Sequence, residues 1–260
     1  MSEAQHMRQD PKLAEVWIGD RVRGGNYTRP EQIDILMELL SVLQPDGHRL
    51  LDLGCGDGLI AELVLMRFPN AYVVGVDSSS PKLEEARARL SPFVGRFTLL
   101  AHDLRSTEEP LVEVGAFDAA IAVQSFHHLN ALDKQRAFRW ASISLRDGGL
   151  FLLADRIKLA TPALFPYHLK LWNRMQSAAG TEPASPGYSF DDHRARCMLR
   201  GDLPDNLSDQ LAWLQAAGFG EVDVFYRFVE RAVFGGLKVP SPAEAPRLTP
   251  HPDQALLRGV

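Results

Sequence analysis

A doubly wound α/β fold around a mostly parallel sheet is the architecture this sequence predicts, and three observations predict it. The apolar run Leu50-Leu51-Asp52-Leu53 passes straight into the alternating glycines Gly54, Gly56 and Gly58, the pattern of a strand turning tightly into a helix at a ligand site. Apolar runs of strand length alternate with helical segments from residue 49 to 154, as βαβ units require. With 260 residues and 45% hydrophobic content, the chain can bury one large core.

Residues 1–30 read as an N-terminal arm and flap, polar over 1–12 and rich in glycine and arginine over 17–30. Pro30 suits the first turn of a helix whose Ile33, Ile35, Leu36, Leu39, Leu40 and Leu43 recur at intervals of three and four, and Pro45-Asp46-Gly47 stops it. The core, 31–155, then runs as strand 49–53, helix 57–68, strand 71–76, helix 81–90, strand 96–101, strand 117–123, helix 132–145 and strand 150–154. Asp147-Gly148-Gly149 is expected to terminate the last of these helices. Right-handed crossovers make such a sheet parallel. Residues 156–204 break the rhythm with one helix over 164–179, the stretch TEPASPG and the arginine-bearing HRARCMLRGD, so they read as an inserted helical cap. A helix over 208–217 and strands over 222–228 and 231–237 return the chain, at 205–238, to a sheet of seven strands. The proline-rich tail, 239–260, reads as disordered.

A net charge of -5 gives no global basic field, which argues against nucleic acid and for a small-molecule partner. Two cysteines, Cys55 and Cys197, form neither a disulfide framework nor a zinc-ligand pattern; the expectation is a reducing cytoplasm and no metal. The start MSEAQHMRQD lacks an apolar core and Glu62 interrupts the run from Leu59 to Met66, so no signal peptide and no membrane span are expected.

The third glycine falls two residues after the second, whereas the dinucleotide fingerprint spaces it three on, which points to another ligand. With Asp52 before the turn and Asp77 after the next strand, the segment resembles motif I of the class I S-adenosylmethionine-dependent methyltransferases. The resemblance covers 49–155 through DLGCGDG, VVGVDSS, AHDL, FDAAIAV and the glycine pair before the fifth strand. It implies a Rossmann-like sheet and S-adenosylmethionine as cofactor. Gly54, Cys55 and Gly56 would present the turn's backbone to the donor; Asp57 would accept from its ammonium, and Asp52 would bind the same group or support the turn. Asp77, followed by Ser78, sits where a strand end meets ligand and suits a ribose diol, or else caps the next helix. His102, Asp103 and Leu104 would meet the adenine. Gln124 and Ser125 would lie beside the sulfonium, with His127 or His128 between donor and acceptor to take a proton or orient the nucleophile; the sequence leaves open which histidine faces the pocket. Asp155-Arg156 is either a pocket ion pair or a surface pair. Arg21, Arg23, Tyr27, Tyr167, His168, Trp172, Tyr188, Arg194 and Arg196 are the groups outside the core that suit a planar or anionic acceptor.

A narrower resemblance, over 15–238, is to the carboxy-S-adenosylmethionine-dependent tRNA uridine carboxymethyltransferases. It rests on Asn26-Tyr27, on Arg196, Met198 and Leu199, and on AAGF followed by VDVFYR. It implies that Arg196 holds the donor's extra carboxylate, in trans if a homodimer completes the site. Two departures count against it: Gly56-Asp57-Gly58 replaces a serine-leucine-glycine turn, and Ser125-Phe126-His127-His128-Leu129 replaces an apolar stretch. The expectation is therefore methyl transfer from S-adenosylmethionine to a small molecule by in-line displacement. The alternative is carboxymethylation of a tRNA wobble uridine.

Overall fold

The computed structural model describes residues 26–43, 48–106, 112–159, 161–178 and 180–240. Arg21, Arg23, most of the expected flap and the tail from 241 lie outside the described residues.

The chain enters through α1 (Arg29–Ser41), where Pro30 opens the first turn and Ile33, Leu36, Met37 and Leu40 are buried along one stripe. Then follow β1 (Arg49–Leu53), α2 (Leu59–Arg67), β2 (Tyr72–Asp77), α3 (Ser80–Leu90), β3 (Phe97–Ala101), β4 (Phe117–Val123), α4 (Ala131–Ser144) and β5 (Leu145–Arg156). Two further helices, α5 (Phe165–Ala178) and α6 (Phe190–Leu199), precede α7 (Leu207–Ala216), β6 (Phe219–Phe228) and β7 (Arg231–Lys238). The seven strands lie in the order β3-β2-β1-β4-β5-β7-β6. The first five are mutually parallel, while β7 runs antiparallel to both β5 and β6. The order reverses between β1 and β4, so their C-terminal ends flank the crevice where open α/β sheets bind ligands.

Alternation along the strands divides the core into two layers. Leu50, Val73, Ile121 and Leu152 face the side packed by α1 and α2. Leu51, Val74, Ala120 and Leu153 face the other, with Phe138 and Trp140 of α4 and Leu214 of α7. Burial on both faces is why these strands read as continuous apolar runs. A smaller cluster, Leu159, Phe165 and Val229 with Trp172, Tyr188 and Phe190 against it, lies under the insertion.

The structure corrects the expected boundaries in three places. Helix α2 starts at Leu59 after Gly58 in a left-handed conformation, so Asp57 stands in the turn and not in the helix. Helix α4 ends at Ser144, and the Asp147-Gly148-Gly149 group lies inside β5, as an irregularity between the Phe117–Leu145 and Ala119–Leu150 pairs. Helix α6 falls where no helix was expected. Of its residues only Cys197 is buried, so it has no apolar period, and it is started by a capping box between Ser189 and Asp192.

Candidate functional site

The glycine turn is shaped by two requirements. Gly54 has φ +77°, and a Cβ there would lie 2.4 Å from that of Ser125; β1 and the end of β4 touch because no side chain separates them. Ser125 closes the contact by donating its hydroxyl to the Leu53 carbonyl at 2.8 Å. Gly56 has φ +54°, but a methyl there would meet nothing within 4 Å among the described residues, so the turn is open on that side.

Acidic groups converge on this turn. Asp77 accepts the Gly56 N–H at 2.9 Å through one oxygen and the Ser79 N–H at 2.8 Å through the other; each oxygen keeps a further lone pair for a ligand hydroxyl. Ser78 beside it is exposed, and the cap of α3 is the Ser79 hydroxyl. Asp52 is buried, and burial together with the charge of Asp77 raises its pKa to about 7. Its Oδ2 finds no hydrogen-bond partner among the described residues, which leaves a buried acceptor open. Burial, with Asp52 and Asp77 nearby, also pushes the Cys55 thiol up, keeping it a neutral group packed on Gly75.

Two expected donor contacts have other partners. The Asp57 carboxylate pairs with Arg89 of α3 at 3.1 Å, and Arg89 also donates to the Asp57 carbonyl. Asp103 pairs with Arg105 in its own turn at 2.6 Å; the hydrogen bonds from Arg105 hold its carboxyl low. Beside Asp103, Leu104 is in the core and His102 has a buried Nε2 without a hydrogen bond among the described residues.

Past β4 the chain makes a sharp corner. Gln124 has φ +55°, held by its N–H to the Ala154 carbonyl at 2.9 Å and by Arg231, which donates to its Oε1 at 2.8 Å. A short 3₁₀ turn, Phe126–His128, follows and separates the two histidines. His127 is buried; its backbone N–H donates to Asp155 Oδ2 at 2.8 Å, its Nδ1 is 2.5 Å from Asp155 Oδ1, and its Nε2 is 3.6 Å from Asp202. Burial alone would raise the Asp155 carboxyl, but the His127 ring and the N–H donors hold it below the ordinary range. The His128 ring is 54% exposed and lies against that of His127 at 4.1 Å. Both His127 nitrogens thus face carboxylates, which leaves His128 as the more accessible ring.

From Asp202 the charges continue inward. Arg156 binds Asp202 directly and lies 3.5 Å from Glu230, which His193 approaches at 3.3 Å and Arg231 at 3.6 Å. Against burial, which would raise it, these cations hold the Glu230 carboxyl at about 2. Burial lowers the His193 ring, but the hydrogen bond with Cys197 and the Glu230 carboxylate at 3.3 Å outweigh it and bring the ring to about 9. In place of the expected ion pair between Asp155 and Arg156, Arg156 is buried and pairs with Asp202, while Asp155 pairs with His127. Asp202, His193, Cys197 and Glu230 were not read from the sequence as a site. The available signals were His193 and Cys197 one helical turn apart and the Glu230-Arg231 pair interrupting two apolar strands.

Beside this network is a cavity of 370 Å³, walled by the insertion and by Arg156, Val229 and Glu230. Of the expected acceptor groups, Arg156, His168, Trp172, Tyr188 and Arg196 line it. Tyr27 accepts from Thr181 at 3.0 Å and meets Trp172 edge-on, closing the far side of that wall. Tyr167 is exposed and Arg194 pairs with Asp191; neither lines the cavity.

The methyltransferase-domain family matches residues 50–149. The chain is 22% identical over 209 residues to the carboxy-S-adenosyl-L-methionine synthase of Nautilia profundicola, covering 80% of this chain and 82% of that protein. It is 32% identical over 123 residues to the malonyl-[acyl-carrier protein] O-methyltransferase of Geobacter sulfurreducens, covering 46% and 44%. It is 50% identical over 64 residues to the trans-aconitate 2-methyltransferase of Variovorax paradoxus, covering 24% and 23%. The chain thus spans less than half the length of those two methyltransferases. In fold it is similar to phosphoethanolamine N-methyltransferase 2 of Haemonchus contortus bound to S-adenosyl-L-methionine, with a TM-score of 0.62, 15% identity, and 92% and 61% of the two chains covered. The match over residues 50–149 falls on the part of the sheet that carries the glycine turn and the acidic strand ends, and that part reads as a methyltransferase domain.

Proposed function

We propose that the chain transfers the methyl group of S-adenosylmethionine to a small-molecule acceptor seated in the 370 Å³ cavity. The observation that carries this reading is a continuous run of contacts from the donor turn to the cavity wall. Gly54 packs on Ser125, His127 two residues on faces Asp202, and Asp202 binds Arg156, which lines the cavity.

In this reading Gly54, Cys55 and Gly56 present the turn to the donor, Asp77 with Ser78 receives the ribose hydroxyls, and Asp52 receives the ammonium. Asp57 contributes to the ammonium only if it exchanges its Arg89 partner, and Asp103 reaches the adenine only by sharing Arg105. His102 and Leu104 border the ring; Gln124 and Ser125 border the reacting centre. S-adenosylmethionine supplies an electrophilic methyl that needs no activation, so the chain's task is to align the nucleophile and exclude water. His128 is the base when the acceptor must lose a proton, and His127, clamped by Asp155 and Asp202, positions it. Arg156, Trp172 and Arg196 favour an acceptor with an anionic group beside an apolar or planar body; Tyr27 supports that wall, and Tyr167 would join it only with acceptor bound. No helix of the described residues is long and apolar enough to cross a membrane, and a cytoplasmic location, like a homodimer, belongs to the proposal.

A second reading has one supporting observation of its own. Arg196 lines the cavity, and one relative is named a synthase of carboxy-S-adenosylmethionine, although the narrower resemblance in the sequence is to enzymes that consume that compound in tRNA. Mass spectrometry of small molecules released by denaturing freshly purified protein separates the two. S-adenosylmethionine or S-adenosylhomocysteine is expected; recovery of carboxy-S-adenosylmethionine would transfer the assignment to the second reading. Protein that neither carries nor binds donor would sink both.

A further inference from the structure

The cavity wall carries a second set of converging side chains. His193 and Cys197 stand one turn apart on α6, and Glu230 sits in the turn between β6 and β7. His193 Nε2 is 3.7 Å from Cys197 Sγ and 3.3 Å from Glu230 Oε2, and the three candidate donor atoms lie within 4.8 Å of one another. A cysteine, a histidine and a glutamate invite comparison with a nucleophile, base and orienter. That relay needs the two ring nitrogens to serve different partners, and here thiol and carboxylate approach the same nitrogen.

Three unlike donors meeting at one point suit a cation. Tetrahedral zinc, with bonds of about 2.0 Å to nitrogen and oxygen and about 2.3 Å to sulfur, spaces its donor atoms about 3.3 Å apart for N···O and about 3.6 Å for N···S. The separations here are 3.3 and 3.7 Å. A separate observation points the same way. Glu230 is 4% exposed, and its Oε2 makes no hydrogen bond to the described residues. Its other oxygen, Oε1, is the one Arg156 and Arg231 face, at 3.5 and 3.6 Å. The outer cations thus orient the carboxylate by one oxygen and leave the other to the cluster. Arg156 also lies 3.9 Å from Cys197 Sγ, so the same guanidinium borders two of the three donors.

We propose that His193, Cys197 and Glu230 bind one divalent transition metal ion, zinc by the chemistry of the donors. A sulfur–nitrogen–oxygen set suits zinc, whereas magnesium and calcium take oxygen. All three residues line the cavity, so the fourth position faces it and takes water or an oxygen or sulfur of a cavity ligand. The neighbouring group His127, His128 and Asp202 is the weaker candidate, because Arg156 already holds Asp202 and Asp155 holds His127. The inference does not depend on the acceptor assignment.

The test is cobalt and zinc titration of the full chain after dialysis against a chelator, with circular dichroism to confirm that each variant is folded. Wild type should take up one equivalent of cobalt with a thiolate-to-metal charge-transfer band in the near ultraviolet, and zinc should displace it. The band should vanish in Cys197→Ser. His193→Ala should weaken zinc by more than the roughly 10- to 100-fold that loss of an outer partner costs, and His128→Ala should leave both readings unchanged. Absence of a band at one equivalent, a band that survives Cys197→Ser, or unaltered zinc affinity in folded His193→Ala would overturn the assignment.

Discussion

Asp52 is the residue whose environment makes the most specific demand. Its carboxyl is pushed up to about 7 by burial and by Asp77, and its Oδ2 lacks a partner among the described residues. An ammonium placed there favours the ionised form, so donor affinity should fall as pH drops below about 7, by up to tenfold per unit, and should be flat with pH in Asp52→Asn. Wild-type affinity that is constant from pH 5.5 to 8.5 by calorimetry would return Asp52 to the role of turn support. Stability has the opposite trend. A carboxyl whose folded pKa lies above its ordinary value contributes fully below that ordinary value, and the contribution is lost as pH rises through about 7. Asp52→Asn should therefore match wild type near pH 4 and exceed it at pH 8 by on the order of 2–4 kcal/mol, read from denaturant midpoints. The paired histidines separate in the same way. His128→Ala should reduce turnover by about 10² to 10⁴-fold with donor affinity intact. His127→Ala should first unfold, losing about 3 kcal/mol, because it leaves Asp155 and Asp202 buried without the ring between them. Equal loss of turnover without loss of stability in both variants would refute this division.

At the scale of elements, the glycine turn was legible in the sequence because its physics is local. Glycines that need positive φ and an apolar run ahead of them fix a strand-turn-helix without help from elsewhere. The two glycines should nonetheless fail differently. Gly54→Ala drives a Cβ into Ser125 as well as straining φ, for a loss of about 3 kcal/mol. Gly56→Ala meets open space, so it should cost only about 1–2 kcal/mol and yet weaken donor binding by tenfold or more, because the new methyl occupies the open side of the turn. Melting temperatures and donor titrations on the two variants check the contrast, and comparable donor affinity in Gly56→Ala and wild type would remove the ligand from that side. Helix α6 was not legible, since one buried residue, Cys197, gives no periodic signal, and its capping box is a pattern of two polar residues. The Asp202–Arg156–Glu230–His193 network was hidden for a different reason. Its members come from β5, α6 and two turns, and no spacing in one dimension encodes that meeting. The split between His127 and His128 depends on a 3₁₀ turn, which sequence pattern also leaves undetermined.

For the whole molecule, the question is which class of acceptor the surface admits. The insertion is tied to the central strands and α4 at several points: Leu203 N–H donates to the His127 carbonyl at 2.6 Å, Lys134 of α4 donates to the Leu203 carbonyl, and Asp202 holds Arg156 of β5. The cavity is thereby fixed against the end of β5 and the turn between β6 and β7. Among the insertion's arginines, Arg156 and Arg194 are drawn into local pairs and Arg196 and Arg200 line the cavity, and the chain as a whole carries a charge of -5. A nucleic acid making 6–10 phosphate contacts would lose about 10³ to 10⁵ in affinity between 50 and 200 mM salt. A small anion held by one or two guanidiniums should lose no more than about tenfold over the same range, since few counterions are released. Once an acceptor is found, measuring KM for it against salt decides the matter: a shallow dependence fits an acceptor recognised inside the cavity. A steep one would mean that recognition extends over the outer face of the insertion, where the exposed Arg174 and Arg194 lie, and would favour the tRNA reading despite the acidic balance of the chain.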